Sequence, residues 1–300
     1  MGRTVSCGKI ILRVLFLYED SSMVSDLDVY LFDLRGYLHL EGALSADEVK
    51  DLNACLDEIP TLEPDEWYGY VHAHAYGDVT SGVNYQQIYE AGEPFEKLID
   101  HPSWFERVKL FVGGEGTFDY HHGPLFIDEC LANFRAPGEA IGLHSGGFPP
   151  IQRNQFRYHG GRFMCGQVNI LIALTDIGPG DGGTMLIPGS HKSNFKHPHY
   201  SQKSMGKDQS VDGTVGAIEV SMKAGDALLF VDGISHGSAK RVNEGIRRIA
   251  VYRYGPSWTN FRHGNQPSPE LLERLTPERR KIVQPQIPLA REPQVQKKNP

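Results

Sequence analysis

The amino-acid sequence predicts a mainly β protein with flanking helices, built as one domain around a sandwich or barrel of antiparallel strands. Two observations support this prediction. A chain of 300 residues with 40% hydrophobic and 22% charged side chains has the composition of an ordinary globular protein and is long enough for one large core. Between residues 117 and 255, short apolar runs alternate with glycine- and proline-rich turns, and no segment has the period of a helix.

The first part of the chain is predicted to be mainly helical. Residues 1–25 have no clear period and form a poorly defined segment, and a helix-rich region is expected over 26–115. Ser45 and Glu48 have the spacing of a capping box, which opens an amphipathic helix. The elements predicted here are a strand at 30–42, a helix with the apolar face Val49, Leu52, Leu56 and Ile59, and helical stretches at 94–100 and 103–112.

The β core is predicted over 116–256, within a single domain that spans 26–265. The glycine-rich run 178–183 lacks the lysine and hydroxyl residues of a phosphate-binding loop, so we expect a plain turn. The apolar runs that predict strands are 124–134, 166–175, 184–188, 216–222, 226–231 and 247–254.

A helical segment and a loose tail are predicted over 266–300. Ser268-Pro269 and Thr276-Pro277 each place a capping residue before a proline, a pattern typical of the first turn of a helix. From Gln284 onward the composition is rich in proline, glutamine and lysine, which favours a loosely ordered tail.

Charge and cysteine content exclude several classes of partner. The net charge is −7, so the chain lacks the overall basic balance with which proteins bind nucleic acid or anionic lipid. No window reaches the roughly 18 to 20 apolar residues that a membrane-spanning helix needs. The four cysteines have no C-x-x-C spacing, which predicts reduced thiols and a cytoplasmic protein.

Two of the thirteen histidines have a context that suggests chemistry. His144 lies in the run Leu143-His144-Ser145-Gly146-Gly147, just after a predicted strand, and His236 follows the apolar run 226–231. The other histidines have no such context, and we interpret most of them as surface or satisfied core residues.

Two long segments resemble a known family. The segment LIALTDIGPGDGGTMLIPGSHK and the later AGDALLFVDGISHGSAKRVNEGIRRIAVYRY are similar to the phytanoyl-CoA dioxygenase family of Fe(II)- and 2-oxoglutarate-dependent oxygenases, as is YLFDLRGYLHLEGALSADEVKDLN near the start. The resemblance covers roughly residues 29–255. It implies a double-stranded β-helix core of the jelly-roll or cupin-like kind, with Fe(II), 2-oxoglutarate and O2 as cofactors.

The resemblance also implies the site residues. His144 and His236 match the two histidine ligands of a facial triad, and Arg247 matches the arginine that binds the far carboxylate of 2-oxoglutarate. Neutral imidazoles suit Fe(II), and a guanidinium pairs with a carboxylate through two parallel hydrogen bonds. Ser238 matches a hydroxyl that helps to bind 2-oxoglutarate. Alternation along the last strand turns the neighbouring Arg248 to the opposite face.

Position 146 departs from the family pattern. The third ligand is expected to be a carboxylate two residues after the first histidine, and Gly146 stands there instead. An anion such as chloride can supply the missing charge, and similar radical halogenases carry glycine or alanine at this position. The alternatives are a hydroxylase with water at the vacant position, a carboxylate from Asp128, Glu129 or Asp232, and a binding protein without metal.

A second motif points to another class of enzyme. Gly233-Ile234-Ser235-His236-Gly237 fits the G-x-S-x-G elbow of serine hydrolases, in which a helix follows the nucleophile. A charged loop and then a strand are predicted after this motif, so the hydrolase hypothesis is the weaker one.

A local basic excess suggests a substrate class. Residues 151–200 contain five basic and two acidic residues, a local excess of three positive charges. We predict that this region guides a small anionic metabolite, such as a nucleotide, to the metal. The candidate substrate-binding residues are Arg153, Arg157, His159 and Arg162; Gln167 and Asn169 are candidates for contacts with 2-oxoglutarate or substrate, because both point to one face of their strand.

Overall fold

A computed structural model describes residues 24–74, 82–147, 151–204, 209–259 and 266–285. Its helices are α1 (Asp26–Arg35), α2 (Ala46–Glu58), α3 (Glu93–Glu96), α4 (Phe105–Gly113), α5 (Tyr200–Lys203), α6 (Pro269–Arg274) and α7 (Pro277–Val283). Single 3-10 turns occur at Ile88–Ala91, Lys97–Asp100, Gln152–Asn154 and Ser190–Lys192. Its strands are β1 (Tyr37–Leu40), β2 (Trp67–Tyr68), β3 (Val71–His74), β4 (Val83–Gln86), β5 (Leu125–Arg135), β6 (Tyr158–His159), β7 (Arg162–Phe163), β8 (Val168–Ala173), β9 (Thr184–Leu186), β10 (Ile218–Val220), β11 (Ala227–Val231), β12 (His236–Ser238) and β13 (Arg247–Pro256).

The strands form a large and a small antiparallel sheet that together make a double-stranded β-helix. The large sheet has the order β1-β11-β8-β13-β5-β4-β3-β2, and the small one has the order β10-β9-β12. Strands β6 and β7 form a separate hairpin. The prediction of a mainly β core with flanking helices is confirmed.

Strand β13 lies at the centre of the large sheet, and its alternate side chains point to the two opposite faces. It pairs along its whole length with β5 and, over residues 249–254, with β8. On the outer face, the hydroxyl of Tyr252 donates to the carbonyl oxygen of Phe95 at 2.7 Å, and Tyr254 donates to Leu98 at 3.1 Å. The residues before α4 therefore cover one face of the sheet, and the opposite face is left to line a cavity.

Several predicted elements appear with the expected capping residues. Helix α2 begins with a capping box at Ser45 and Glu48, and Val49, Leu52 and Leu56 are buried on its inner face. The hydroxyl groups of Ser268 and Thr276 accept backbone hydrogen bonds at the starts of α6 and α7, as the Ser-Pro and Thr-Pro pairs predicted. The tail beyond residue 285 and residues 1–23 lie outside the described residues.

One prediction in the first part of the chain is wrong, and a second is incomplete. The strand expected at 30–42 is mostly helix, because Ser25 and Asp28 form a capping box that starts α1, and Gly36 ends it in a left-handed conformation with φ 84°. Only β1 remains extended. The region expected to be mainly helical also contains β2, β3 and β4, which are short strands that extend the large sheet beyond β5. Of these, β4 pairs with β5, which lies far along the chain, and β3 and β2 follow β4 in the sheet, so local pattern could not reveal their place.

Candidate active site

The two predicted histidine ligands lie side by side between the sheets. The ring centroids of His144 and His236 are 4.1 Å apart. Their backbones also pair, since the amide of His144 donates to the carbonyl of His236 at 2.8 Å and the reverse bond measures 3.0 Å. The two residues are 92 positions apart in the printed sequence, so the fold itself brings them together.

Hydrogen bonds orient both rings in the same way. The Nδ1 atom of His144 lies 2.9 Å from the carbonyl oxygen of Gly142, and Nδ1 of His236 lies 2.8 Å from that of Ile234. A carbonyl accepts a hydrogen bond, so Nδ1 carries the proton and Nε2 keeps its lone pair. Burial and the neighbouring His236 ring hold the pKa of His144 well below its usual value, which favours the neutral imidazole that a metal requires.

Glycines allow the close approach of these segments. A Cβ atom at Gly237 would lie 2.6 Å from the carbonyl oxygen of Ile141. The chain before His144 therefore crosses directly over β12, which only a glycine permits. Gly146 has φ 104°, a conformation that side chains with a Cβ rarely adopt. The side-chain amide of Asn154 donates to the carbonyl oxygen of Gly146 at 3.3 Å.

The donor set fits an iron ion in part. Two imidazole Nε2 atoms suit Fe(II), but a facial triad needs one more protein ligand. Within the described residues, no group of three or more histidine, cysteine, aspartate or glutamate side chains is arranged to hold a metal ion. The site therefore contains candidates for two of the three ligands in the family pattern, and no candidate for the third among the described residues.

The three carboxylates considered as replacement ligands lie outside the cavity that contains the two histidines. Asp232 is buried, and its two oxygens lie 3.0 Å from Arg153 Nε and 3.0 Å from Asn169 Nδ2. Glu129 contacts Arg253 at 2.9 Å. Asp128 is buried in β5 beside an irregularity in its pairing with β13. Among the described residues, none of these carboxylates lines the cavity that contains the two histidines.

Arg247 stands at one end of this cavity. Its side chain is 2% exposed and donates to the carbonyl oxygen of Gly182 and, at 2.9 Å, to Oδ1 of Asn133. Gly182 belongs to the glycine-rich run that the sequence predicted to be a turn. Burial and the neighbouring Arg135 and Arg241 lower the pKa of Arg247 well below its usual value, and the nearby Glu139 and Asp181 offset only part of this effect.

Sequence reasoning missed a second buried arginine. Arg135 lies directly opposite Arg247 in the pairing of β5 with β13, and it is 1% exposed. Burial lowers its pKa to about 10. We call Arg135 and Arg247 the arginine end of the cavity. The sequence did contain a signal for this residue: Asn133 and Arg135 are polar residues at alternate positions of an otherwise apolar strand, and so point to the same face.

The remaining predicted cofactor contacts differ in position. The hydroxyl oxygen of Ser238 accepts from the amide of Ile141 at 2.9 Å, and Ser238 lines the cavity together with Arg247. Gln167 and Asn169 are fully buried and both direct side-chain amides toward Asp232, at 3.4 Å and 3.0 Å. They belong to the network behind the cavity.

The four candidate substrate residues do not form one group. Arg153 pairs with Asp232 and joins the same network. Arg157 is exposed and lines a different cavity, beside Gln155 and Trp258. His159 and Arg162 are exposed on the β6–β7 hairpin.

The hydrolase motif lacks the required geometry. Ser235 lies between β11 and β12, so a strand follows it where a nucleophile elbow needs a helix. The three cysteines in the described ranges, Cys55, Cys130 and Cys165, are free, as predicted for thiols. No helix of the described chain has both the length and the hydrophobicity needed to cross a bilayer.

The fold is the double-stranded β-helix that the family resemblance implied, and two adjacent imidazoles lie between its sheets. The sequence matches the family described as phytanoyl-CoA dioxygenase (PhyH) over residues 32–249. This match covers most of the chain, and the protein belongs to that family.

Curated relatives are dioxygenases of fungi. The chain is 31% identical to dioxygenase trt7 of Aspergillus terreus over 117 residues, which is 39% of this chain and 37% of that protein. It is 25% identical to dioxygenase olcK of Penicillium canescens over 197 residues, or 63% of this chain and 56% of that protein. The chain thus matches between about a third and a little over half of the length of these two relatives.

Solved structures share the fold at low sequence identity. HygX from Streptomyces hygroscopicus, determined with nickel and 2-oxoglutarate bound, has a TM-score of 0.62 at 23% identity, covering 83% of this chain and 94% of HygX. HygX has also been determined with iron bound. The carbocyclase SnoK from nogalamycin biosynthesis, described as non-haem and α-ketoglutarate-dependent, has a TM-score of 0.55 at 18% identity, covering 86% of this chain and 93% of SnoK. These likenesses establish the jelly-roll architecture.

Proposed function

We propose that this protein is an Fe(II)- and 2-oxoglutarate-dependent radical halogenase that acts on an unactivated C–H bond of a small metabolite. The observation that carries the proposal is Gly146, which stands where a carboxylate ligand is expected, together with the lack of a third protein ligand in the described part of the chain. A chloride ion at that position restores the negative charge that the glycine removes.

The cavity supplies a role for each remaining group. His144 and His236 would hold the iron through Nε2, since Nδ1 of each ring is turned to a backbone carbonyl. Arg247 and Ser238 would bind the far carboxylate of 2-oxoglutarate, because both line the cavity beside the histidines. With 2-oxoglutarate and O2, bound iron supplies an oxidant that removes a hydrogen atom from carbon, with release of CO2 and succinate.

Hydroxylation is the second candidate. The fungal relatives are dioxygenases, and water instead of chloride at the open position would give a hydroxylase with the same residues. The choice between the two outcomes depends on which ligand lies nearer the substrate carbon, and the substrate's position in the cavity sets this distance.

One reconstitution experiment tests the proposal. The protein is loaded anaerobically with Fe(II) and 2-oxoglutarate and exposed to O2 with chloride, bromide or neither, in the presence of a fractionated metabolite extract. We expect halide-dependent products that carry chlorine or bromine, identified by isotope pattern in mass spectra. Oxygenated products alone, in the presence of chloride, would assign the protein to the hydroxylases. No succinate under any condition would support a metal-free binding protein.

Substitutions at position 146 give a matched control. Gly146→Asp and Gly146→Ala impose the same strain, because residue 146 has φ 104°. Only the aspartate adds a carboxylate, so we expect Gly146→Asp to abolish halogenation and Gly146→Ala to retain part of it. His144→Ala and His236→Ala should each abolish iron binding, measured by metal analysis after dialysis. Halogenation by Gly146→Asp at the native rate would contradict the proposed chloride position.

A further inference from the structure

Uncharged oxygen atoms hold the arginine end of the cavity in place. Arg247 and Arg135 both donate to the carbonyl oxygen of Gly182, Arg135 at a distance of 3.4 Å. Arg247 also donates from Nη2 to Oδ1 of Asn133 at 2.9 Å. Asn133 is 4% exposed and lines the cavity together with both arginines. These contacts therefore fix the guanidinium of Arg247 without cancelling its charge.

The charges around Arg247 leave an excess of one positive charge. Its charged neighbours are the guanidiniums of Arg135 and Arg241 and the carboxylates of Glu139 and Asp181. Asp181 pairs with Arg241 at 3.0 Å. Together with Arg247 itself, three cations face two anions. A single added carboxylate offsets this excess, because a buried cation is costly until an anion joins it.

Charges elsewhere in the cavity are matched. Arg253, which also lines the cavity, contacts Glu129 at 2.9 Å. In the proposed function, the two positive charges of Fe(II) are met by chloride and by the carboxylate beside the keto group of 2-oxoglutarate, and the two histidines are neutral. The unmatched positive charge therefore lies at the arginine end, which the proposed function assigns to the far carboxylate of 2-oxoglutarate.

The side-chain amide of Asn133 can contact Arg247 in only one orientation. A guanidinium has donors and no acceptor, so the amide oxygen must point toward it. The amide nitrogen then points toward β4, where it donates to Oδ1 of Asn84 at 2.8 Å and to the carbonyl oxygen of Val83 at 3.4 Å. Asn84 is 5% exposed and also lines the cavity. Strand β4 therefore fixes the direction in which Asn133 presents its oxygen.

We propose that Asn133 is a positioning residue that orients Arg247 through an uncharged oxygen and so reserves the guanidinium for the far carboxylate of 2-oxoglutarate, while Asn84 fixes the orientation of Asn133. Asn133→Asp keeps the shape of the side chain and the contact with Arg247. Its charge, however, offsets the excess at the arginine end before any ligand binds, and the adjacent guanidiniums keep the new carboxyl group ionised. This inference rests on the proposed function, which assigns Arg247 to 2-oxoglutarate.

The test compares two 2-oxo acids that differ only at the far end. 2-Oxoglutarate carries a carboxylate there, and 2-oxopentanoate carries a methyl group. The protein is loaded with Zn(II), so that no turnover occurs, and the dissociation constants of both acids are measured by ligand-observed NMR. We call their ratio the far-carboxylate preference. The native protein should prefer 2-oxoglutarate by at least about tenfold, because the far carboxylate forms charge-assisted hydrogen bonds.

The central variant is Asn133→Asp. It should lower the far-carboxylate preference by about tenfold, because the guanidinium of Arg247 is already neutralised. The affinity for 2-oxopentanoate should change by less than about twofold, since this ligand has no charge at the arginine end. A general distortion of the cavity would weaken both ligands equally and leave the preference unchanged.

Two further variants remove contacts without adding charge. Asn133→Ala deletes the oxygen that orients Arg247, and it tests the same role should Asn133→Asp give no cooperative thermal transition. Asn84→Ala deletes the acceptor that orients Asn133. Each should lower the far-carboxylate preference by about threefold, the effect of losing one ordinary hydrogen bond.

Asn53→Asp is the matched control. Oδ1 of Asn53 accepts from Arg248 at 3.2 Å, on the outer face of the sheet. This variant therefore adds the same charge beside the neighbouring arginine of β13, away from the cavity. It should leave the far-carboxylate preference unchanged.

The outcomes distinguish the inference from the proposed function. A preference that keeps its native value in both Asn133 variants would overturn the inference, and so would an equal fall in Asn53→Asp. An unchanged preference in Asn84→Ala would overturn the role assigned to Asn84. Native Zn(II)-loaded protein that binds neither acid, or binds both equally, would instead overturn the proposed function, and the inference with it.

Discussion

The two faces of β13 use polar side chains in opposite ways. On the outer face, the hydroxyls of Tyr252 and Tyr254 donate to backbone carbonyls of the segment before α4. Arg248, on the same face, donates to Asn53 at 3.2 Å and pairs with Asp57 at 2.7 Å. These polar groups find partners within the protein, and they tie the helices to the sheet.

On the inner face, the hydrogen bonding of the arginine is less complete. Arg247 makes two hydrogen bonds to neutral oxygens, and in the described structure its buried Nε atom has no hydrogen-bond partner. A guanidinium has five N–H donors, so the protein leaves part of the group unused. Adjacent arginines on one strand thus differ in their contacts: the outer one binds to helix α2, and the inner one is the residue that the proposed function assigns to an anion.

The largest expected effect tests this difference at Arg247. Arg247→Met should weaken 2-oxoglutarate binding by about tenfold to a hundredfold, because charge-assisted hydrogen bonds contribute about 1.5–3 kcal/mol. The free energy of unfolding of the ligand-free variant should not fall, since removing one of two buried like charges offsets the lost hydrogen bonds. Calorimetric titration of the Zn(II)-loaded protein and urea denaturation measure the two quantities.

Arg248→Met is the matched control for this prediction. It removes the same functional group one residue away, on the outer face, and should leave 2-oxoglutarate affinity unchanged. Equal losses of affinity in the two variants would mean that the faces of β13 are not functionally distinct.

A smaller effect is expected at Tyr252. Tyr252→Phe removes a buried hydroxyl that donates to Phe95 at 2.7 Å, so the free energy of unfolding should fall by about 1–2 kcal/mol. Affinity for 2-oxoglutarate should stay the same, because the hydroxyl lies on the far side of the sheet from the cavity. A change in that affinity without a loss of stability would show that the outer face also acts on the site.

The sequence predicted the parts of the fold that depend on local chemistry. Capping residues such as Ser45 and Ser268 and the alternation of β13 are local signals, and the structure confirms them. The opposite orientations of Arg247 and Arg248 also follow from alternation alone. By contrast, β4 pairs with the distant β5, and β3 joins the sheet only through β4. Helix α1 was missed because a short apolar pattern fits either a strand or a helix.

Site residues could be predicted where one residue stands in a recognisable motif. They could not be predicted where their role depends on a partner far along the chain. The juxtaposition of His144 and His236 agrees with their predicted shared role. Arg135 and Asn133 were missed because a cation and an amide in a strand have many ordinary explanations. The pairing of Arg153 could not be predicted from sequence, because its partner Asp232 lies 79 positions further along the chain. A local charge count therefore could not show that Arg153 is paired with a buried carboxylate.

The smallest expected effect concerns the exposed ion pair of the outer face. In the pair of Arg248 with Asp57, the two side chains are 27% and 62% exposed, so solvent screens their attraction. Asp57 also lies in the last turn of α2, where a negative charge opposes the helix dipole. Asp57→Asn removes both the favourable ion pair with Arg248 and the unfavourable interaction with the helix dipole, so the two changes in stability partly cancel. The free energy of unfolding should change by less than about 0.5 kcal/mol, and raising the salt concentration should reduce the difference further. Urea denaturation of both variants under the same conditions measures the difference. A loss of stability as large as that of Tyr252→Phe would mean that the ion pair attaches α2 to the sheet as strongly as a buried hydrogen bond attaches the segment before α4.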